Sequence, residues 1–432
     1  MDNILNKAKE CEDKKMWNDA LKKYETLYNN GHTDISILDK IGWCQSRLGL
    51  YKESICTYKK IIAKEPKKAK WHYMLGYQYY CMKDWLNAIF CFKESIKYHR
   101  DYLIAYYRLS YAITQEIKND YNNSFTKQQE AIEYLDICEC IYDKYNVEQK
   151  KRNQSTYIKV LFLKGKILIV LGKINESIKT LEKVYKIDKK NNYILYNLGK
   201  AYYYNRDYSK VIKIIRELPS KYYVHELKAK TMIKLGNYSE AINLYNEILK
   251  TREKDYIYRD LSYVYLQMND LDNAYIYSKE ALNKGKNNHK NLYLMGLVYY
   301  KHGLLYSAKK MLLDSISLKK RNFKLGYVEA QNLLEEIDKI ISETNYKEDC
   351  VDTLKHLNKI VSNKYDKFQK GEIKKWFSSK GYGFINNSCK SYFFHVNDIK
   401  NGLKSKIKID KNVEFYLVET KRGPKAIITR IL

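Results

Sequence analysis

The sequence has no run of about 18 apolar residues, so nothing in it reads as a membrane-spanning helix. None of its nine cysteines forms a CxxC pair, and no histidine cluster stands beside them to complete a zinc set. A GxxxxGK(S/T) phosphate loop and an HExxH pair are both missing, and no nucleophile is placed with a base. These absences point away from catalysis, and no catalytic residue, metal or cofactor is expected. The opening stretch, MDNILNKAKECEDKK, lacks the apolar run of a signal peptide. The expectation is a cytoplasmic chain whose cysteines, such as Cys11, Cys81 and Cys91, are reduced core residues at small apolar helix positions.

Positive charge is abundant: 79 Lys and Arg stand against 50 Asp and Glu, a net +29 over 432 residues. That length suits two or three domains and buries a core without disulfides. Summed positive charge attracts phosphate backbones. Yet Lys, Asn, Ile and Tyr all dominate here, and all are encoded by A/T-rich codons. The global charge is therefore a weak guide, and its local distribution matters more.

A period of 34 residues organises most of the chain. In Ile35 to Lys68, the residues Ile41, Gly42, Tyr51, Ser54, Tyr58, Ile61 and Pro66 fall at positions 7, 8, 17, 20, 24, 27 and 32. Leu75, Gly76, Trp85, Ala88, Phe92 and Ser95 follow in the same frame, and so do Met295, Gly296, Leu305, Ala308 and Leu312. Small residues at positions 8 and 20 let two helices cross closely, and large ones at 4, 7, 11, 24 and 27 fill the space between hairpins. The pattern resembles the tetratricopeptide repeat, with nine copies beginning near residues 1, 35, 69, 103, 158, 192, 222, 255 and 289. The resemblance implies a superhelical solenoid with a ligand-binding face. The fourth copy is stretched, a basic segment EQKKRNQSTY precedes the fifth, and the sixth ends early at Leu218-Pro219. Gly326 to Glu343 reads as a capping helix, and Asp352 to Gln369 as a further helical stretch.

In such a solenoid the first helix of each repeat turns positions 2, 5, 9, 12 and 13 towards the groove. These supply Tyr73, Tyr77, Tyr80, Tyr107, Tyr111, Tyr196, Lys200, Tyr203, Tyr263, Tyr293 and Tyr300. A groove of tyrosines with scattered cations suits an extended peptide or stacked bases. Tyrosine also fills packing positions throughout the chain. The lysine and asparagine set by which such repeats grip a C-terminal carboxylate is incomplete: Asn197 and Lys200 fit, but Phe162 and Leu163 do not.

From Gly371 onwards the period changes to two. Five short strands are expected at 372–377, 382–386, 391–395, 412–419 and 425–432, which suits a small OB-type barrel. Alternation puts Tyr382 with Phe384, Phe393 with His395, and Lys374 with Trp376, each pair on one face. Residues 370–432 hold 14 Lys and Arg against 5 Asp and Glu, a denser positive charge than the rest of the chain. Aromatics on adjacent strands, ringed by lysines, make a stacking platform for bases.

This region resembles a cold-shock domain. KGYGFI (Lys380 to Ile385) matches the family's first RNA-binding motif, YFFHV its second, and RGPKA (Arg422 to Ala426) its last turn. The resemblance implies nucleic-acid contacts at Lys374, Trp376, Lys380, Tyr382, Phe384, Phe393, His395, Arg422 and Lys425. Two rings of the family pattern are replaced, by Val396 and Lys404, and Trp376 is placed only to within one position. An RNA recognition motif shares KGYGF, but it has its second motif earlier and helices between its strands.

The expected architecture is mainly α: a tetratricopeptide-repeat solenoid over residues 1–343, a helical linker over 344–369 and an OB-type barrel over 370–432. The expected function is a non-enzymatic adaptor. Its barrel binds single-stranded RNA or DNA, RNA ahead of DNA, and its solenoid recruits a protein or peptide partner away from any membrane. The alternative is a peptide-sensing regulator whose barrel serves as effector or docking surface.

Overall fold

The computed structural model describes residues 2–117, 124–323, 325–344, 346–366, 369–387, 390–399, 403–420 and 423–432. The chain divides into two compact units, Met1–Leu218 and Pro219–Leu432. The first unit is built from six helix pairs: α1 (Asp2–Asp13) with α2 (Trp17–Asn29), α3 (Ile35–Arg47) with α4 (Tyr51–Lys64), and α5 (Ala69–Cys81) with α6 (Trp85–Tyr98). Next come α7 (Leu103–Glu116) with α8 (Ser124–Lys144), α9 (Val147–Val170) with α10 (Ile174–Ile187), and α11 (Asn192–Tyr204) with α12 (Tyr208–Glu217). The second unit continues with α13 (Tyr222–Lys234) and α14 (Tyr238–Thr251), α15 (Asp255–Gln267) and α16 (Leu271–Lys284), and α17 (His289–Lys301) and α18 (Leu305–Phe323). Two single helices follow, α19 (Val328–Thr344) and α20 (Val351–Asp366). The nine pairs match the nine expected repeats and form a tetratricopeptide-like solenoid.

The spacing of small and large residues explains each hairpin. A Cβ on Gly76 would lie 2.9 Å from the Phe92 ring, and one on Gly165 would lie 2.6 Å from Leu181. At these two glycines there is thus no room for a side chain beneath the large residue at position 24. The small residues at position 20 (Ala20, Ala88, Ala131, Ala241, Ala274 and Ala308) are all fully buried. Where serine takes that place it bonds back across the pair: Ser54 Oγ donates to the Gly42 carbonyl at 2.8 Å, and Ser177 Oγ to that of Gly165 at 2.8 Å. A buried hydroxyl is tolerated there because its bond is made.

The turn inside each pair has a signature that composition does not reveal. Position 15 is left-handed in eight repeats, at Lys15, Gly49, Lys83, Gly172, Arg206, Gly236, Asn269 and Gly303. Glycine adopts this conformation freely, whereas the lysines and arginine do so against the steric clash of their own Cβ. The geometry is the same whichever residue sits there, so pair packing dictates it.

The structure adds to three expectations. The basic segment before the fifth repeat forms the N-terminal part of α9, which runs 24 residues. Asn146 and Gln149 form a capping box at its start, satisfying two backbone donors reciprocally. The cysteines are core residues only in part: Cys44, Cys91 and Cys138 are buried, Cys11 and Cys81 are half-buried, and Cys56, Cys140 and Cys350 are exposed. Lastly, the expected linker does not stand free. Leu357 of α20 is fully buried with Ala274, Tyr275, Leu294, Met295, Val298 and Leu304. Just before α20, Asp349 accepts hydrogen bonds from the Tyr306 and Ser307 backbone N–H groups at 2.9 and 2.7 Å, capping the start of α18. The sequence marked this stretch as helical, but its Leu354, Leu357, Ile360 and Val361 spacing is an apolar stripe that needs a partner.

The C-terminal strands are β1 (Gln369–Phe377), β2 (Tyr382–Asn386), β3 (Ser391–His395), β4 (Asn412–Thr420) and β5 (Gly423–Ile431). They close into a barrel in the order β1-β2-β3-β5-β4, with β3 and β5 parallel and the remaining paired strands antiparallel. Ile373, Ile385, Phe394, Val413, Phe415, Ala426 and Ile428 fill its interior. Gly383 cannot carry a side chain, since its Cβ would sit 2.5 Å from the Lys375 carbonyl oxygen and 2.6 Å from the Phe394 ring.

Candidate nucleic-acid interface

Pairing of β2 with β3 sets the site. Tyr382 lies opposite His395 and Phe384 opposite Phe393, while Gly383 and Ile385 between and beyond them point inward against Phe394 and Tyr392. The outward rings therefore meet. Tyr382 lies 6.2 Å from Phe384 and 5.7 Å from Phe393, and Phe384 lies 5.8 Å from Phe393. Tyr382 and Phe384 are half-buried by their neighbours, whereas Phe393 keeps 38% of its surface exposed. Such a row of rings on the outside of a barrel core has no role in filling that core.

The first strand departs from simple alternation. A bulge between Ile373 and Lys375 shifts the register, so Lys375 lies opposite Phe384, Trp376 opposite Gly383 and Phe377 opposite Tyr382. Trp376 is consequently turned off the ring row. It is half-buried and stacks on Phe394, with centroids 5.5 Å apart and planes 10° from parallel. Phe377 takes the place at the row, 41% exposed and 5.0 Å from Tyr382. Lys374 and Trp376 thus do not share the platform face. Lys374 is exposed and held by Glu372 at 2.7 Å and Asp410 at 3.5 Å, and the Glu372 bond raises its pKa. Sequence reasoning missed Lys375 and Phe377. The signal was the doublet Lys374-Lys375 ahead of the aromatic pair, two polar residues in a row where alternation allows one.

The remaining cations surround the row. Lys380 is exposed in the turn before β2, its N–H donating to the Phe377 carbonyl at 3.0 Å. Gly381, with φ +69°, completes that turn. Lys425 lies beside Phe393 on the parallel strand β5 and is half-buried. Arg422 lies outside the described residues. His395 Nδ1 accepts the Asn397 N–H at 3.2 Å, which leaves Nε2 to act as donor in the neutral ring. Val396 packs against the barrel core, and Lys404 is exposed at the start of a short 3-10 turn (Lys404–Lys406), so neither adds a ring.

The expected groove tyrosines divide into groups. Tyr77 and Tyr107 converge with Tyr80 around Arg108, Tyr111 lies beside Tyr80 and Tyr107 at 5.5 and 6.5 Å, and Tyr73 is packed between Phe92 and Tyr102, 5.7 and 5.2 Å from them. Tyr196, Lys200 and Tyr203 share α11, where Tyr203 contacts Tyr204 and Tyr208. In the second unit Tyr293 packs on Tyr327 at 5.2 Å, and burial raises the pKa of Tyr263 nearby. Tyr300 donates to a Glu336 carboxylate oxygen at 2.5 Å. Among the described residues no group of His, Cys, Asp or Glu is placed to hold a metal ion, and no helix is long and apolar enough to cross a membrane.

A repeat solenoid followed by a five-stranded barrel with an outward ring row defines a class: tetratricopeptide repeats joined to a cold-shock-type domain. Comparison with known families agrees. Residues 369–430 match the family model described as the 'Cold-shock' DNA-binding domain, and residues 158–191 match a tetratricopeptide repeat. Residues 178–248 match the model for subunit 3 of the anaphase-promoting complex, cyclosome. No curated protein matches the chain. Similar solved structures include a tetratricopeptide repeat protein from Parabacteroides merdae, 11% identical, covering 61% of this chain and 98% of that one at a TM-score of 0.42. Yeast Tom70 is another, 11% identical, covering 79% of this chain and 96% of that one at a TM-score of 0.38. Tetratricopeptide repeats point to protein interaction, and the cold-shock-type barrel to nucleic-acid binding.

Proposed function

We propose that the chain is a non-enzymatic adaptor, with a solenoid over residues 1–343, a docked helical connection over 344–369 and a barrel over 370–432. The barrel binds single-stranded nucleic acid, RNA ahead of DNA, and the solenoid recruits a protein partner. Tyr382, Phe384, Phe393 and Phe377 stack bases, which contributes about 1–3 kcal/mol per base. Lys375, Lys380, Lys425 and Arg422 take phosphates, and His395 offers a donor at the edge of the row. Trp376 supports the row from behind through Phe394. The observation that carries this reading is the outward contact of Tyr382, Phe384 and Phe393 within a region matching a cold-shock model. Two replaced rings, at Val396 and Lys404, shorten the footprint.

Fluorescence anisotropy of the full chain with labelled oligouridylate and oligothymidylate, at two salt concentrations, tests the proposal. Salt-dependent binding that weakens in the Tyr382→Ala/Phe384→Ala variant, and that favours the ribose strand, supports it. Equal binding by that variant and the parent chain overturns the barrel's role.

A further inference from the structure

One cation in the first unit is surrounded by rings and makes no ion pair among the described residues. Arg108, on α7, places its guanidinium carbon 4.5 Å from the Tyr80 ring centroid, 5.4 Å from that of Tyr77 and 5.8 Å from that of Tyr107. Its Nε is buried and has no hydrogen-bond partner among the described residues. Besides burial, the groups that act on it most are Tyr80, Tyr73, Tyr107 and Tyr77, and the Tyr73 and Tyr80 hydroxyls hydrogen-bond it. These tyrosines do not neutralise it. Burial pushes the Tyr80 pKa up to about 12 and raises those of Tyr73, Tyr77 and Tyr107, so the hydroxyls stay protonated at neutral pH.

The preceding repeats show what a satisfied cation looks like on this row. Lys40 bonds Glu12 at 2.7 Å, and Lys70 bonds Asp39 at 2.6 Å, each pairing one repeat with the one before it. At Arg108 that acid is replaced by rings. Drawing a cation partly out of water without an anion is unfavourable, and cation–π contact offsets only part of that cost. The shortfall favours an anion supplied from outside.

The next repeats continue in kind. α7 packs directly on α9, and α9 on α11. On α9 the exposed Lys166 lies 5.5 Å over the Phe162 ring. On α11, Tyr196, Lys200 and Tyr203 follow. Rings and cations therefore recur at the spacing of packed helices, about 8–10 Å. A ligand that alternates flat rings with negative charges fits such a row. An acidic peptide supplies the charge and leaves the rings without a flat partner.

We propose that this row, centred on Arg108, is a second binding site for single-stranded nucleic acid. The guanidinium takes a phosphate, Tyr77, Tyr80 and Tyr111 stack bases, and Phe162 with Lys166 carries the strand onward. The site does not rest on the barrel's activity, and either can fail alone.

The test uses the full chain with Phe377→Ala, Tyr382→Ala, Phe384→Ala and Phe393→Ala together, so that the whole ring row of the barrel is removed. A fluorescein-labelled oligouridylate is titrated and followed by anisotropy at several salt concentrations. Residual binding is expected, weakened about tenfold by adding Arg108→Gln, the loss of one charge-assisted contact. Adding Lys166→Gln instead removes an exposed charge whose recorded contact is with the Phe162 ring. It is expected to lower the salt slope by about 0.7, one phosphate's worth, which keeps the proposal testable if Arg108→Gln misfolds. No residual binding, or residual binding indifferent to both substitutions, overturns it. Binding of a labelled polyglutamate that Arg108→Gln abolishes and oligouridylate fails to displace also overturns it, in favour of an acidic peptide.

Discussion

The solenoid and the barrel both hold clusters of aromatic rings, and the core rings of the one and the outward rings of the other are used in opposite ways. In the repeats the large rings Tyr24, Tyr58, Phe92 and Tyr245 are fully buried. Where they carry a hydroxyl, it is bonded to an acid: Tyr24 to Glu12 at 2.9 Å, Tyr58 to Asp39 at 3.3 Å, Tyr245 to Asp260 at 3.3 Å. In the barrel, Tyr382, Phe384, Phe393 and Phe377 line the outside of a core that Phe394, Phe415 and the aliphatic residues already fill. Aromatic content alone therefore says nothing about ligand binding. What separates the two is whether a ring completes a core or lies over a completed one.

The comparison can be sharpened by truncating one ring of each kind. Phe92→Ala leaves a cavity over Gly76 and is expected to cost about 3–5 kcal/mol of stability, seen as a large fall in Tm. Phe393→Ala is expected to leave the melting curve nearly unchanged and to weaken oligonucleotide binding by about 1–3 kcal/mol, measured by anisotropy. A large fall in Tm from Phe393→Ala would erase the distinction. Smaller is Asp349→Ala, which removes the cap of α18 and is expected to lose about 1 kcal/mol by chemical denaturation. Burial acts to raise the Asp349 pKa, but its bonds to Ser307, Tyr306 and Tyr346 outweigh that and hold it below the ordinary value. Its contribution is thus full above the unfolded carboxyl value near ~4 and fades as pH falls through the lower folded value. The parent should lose the advantage over Asp349→Ala in that acid window. Smallest is Lys83→Gly, expected to gain up to about 1 kcal/mol by relieving a left-handed residue, read as a modest rise in Tm that leaves oligonucleotide binding unchanged.

Much of the fold was legible because its signals are local and repeated. Gly42, Gly76 and Gly296 at one spacing, with Tyr58, Phe92 and Leu312 at another, report a contact that recurs in each hairpin. The barrel strands were legible from alternation, and Tyr382, Phe384 and Phe393 followed from it. The failures have a common physical origin. The bulge at Lys374 inserts one residue and turns Trp376 inward, which no count of period two foresees. The docking of α20 is a long-range match between its apolar stripe and a patch on α16 and α17. Arg108 escaped notice because its position falls beside, not within, the expected groove set, and the missing carboxylate is visible only in three dimensions.

The left-handed residue at position 15 has a consequence for the history of such a chain. Since eight of the nine turns pass through the same conformation at this position, a cut there and at its counterpart in another of the eight leaves matching ends. Whole hairpins can then be copied or lost without strain, and the chain's length is quantised in units of one pair. The fourth repeat is the exception: Ile117, at that position, is right-handed, and the extra residues of the stretched repeat follow it. Growth by insertion is thus found where growth by duplication has no splice point.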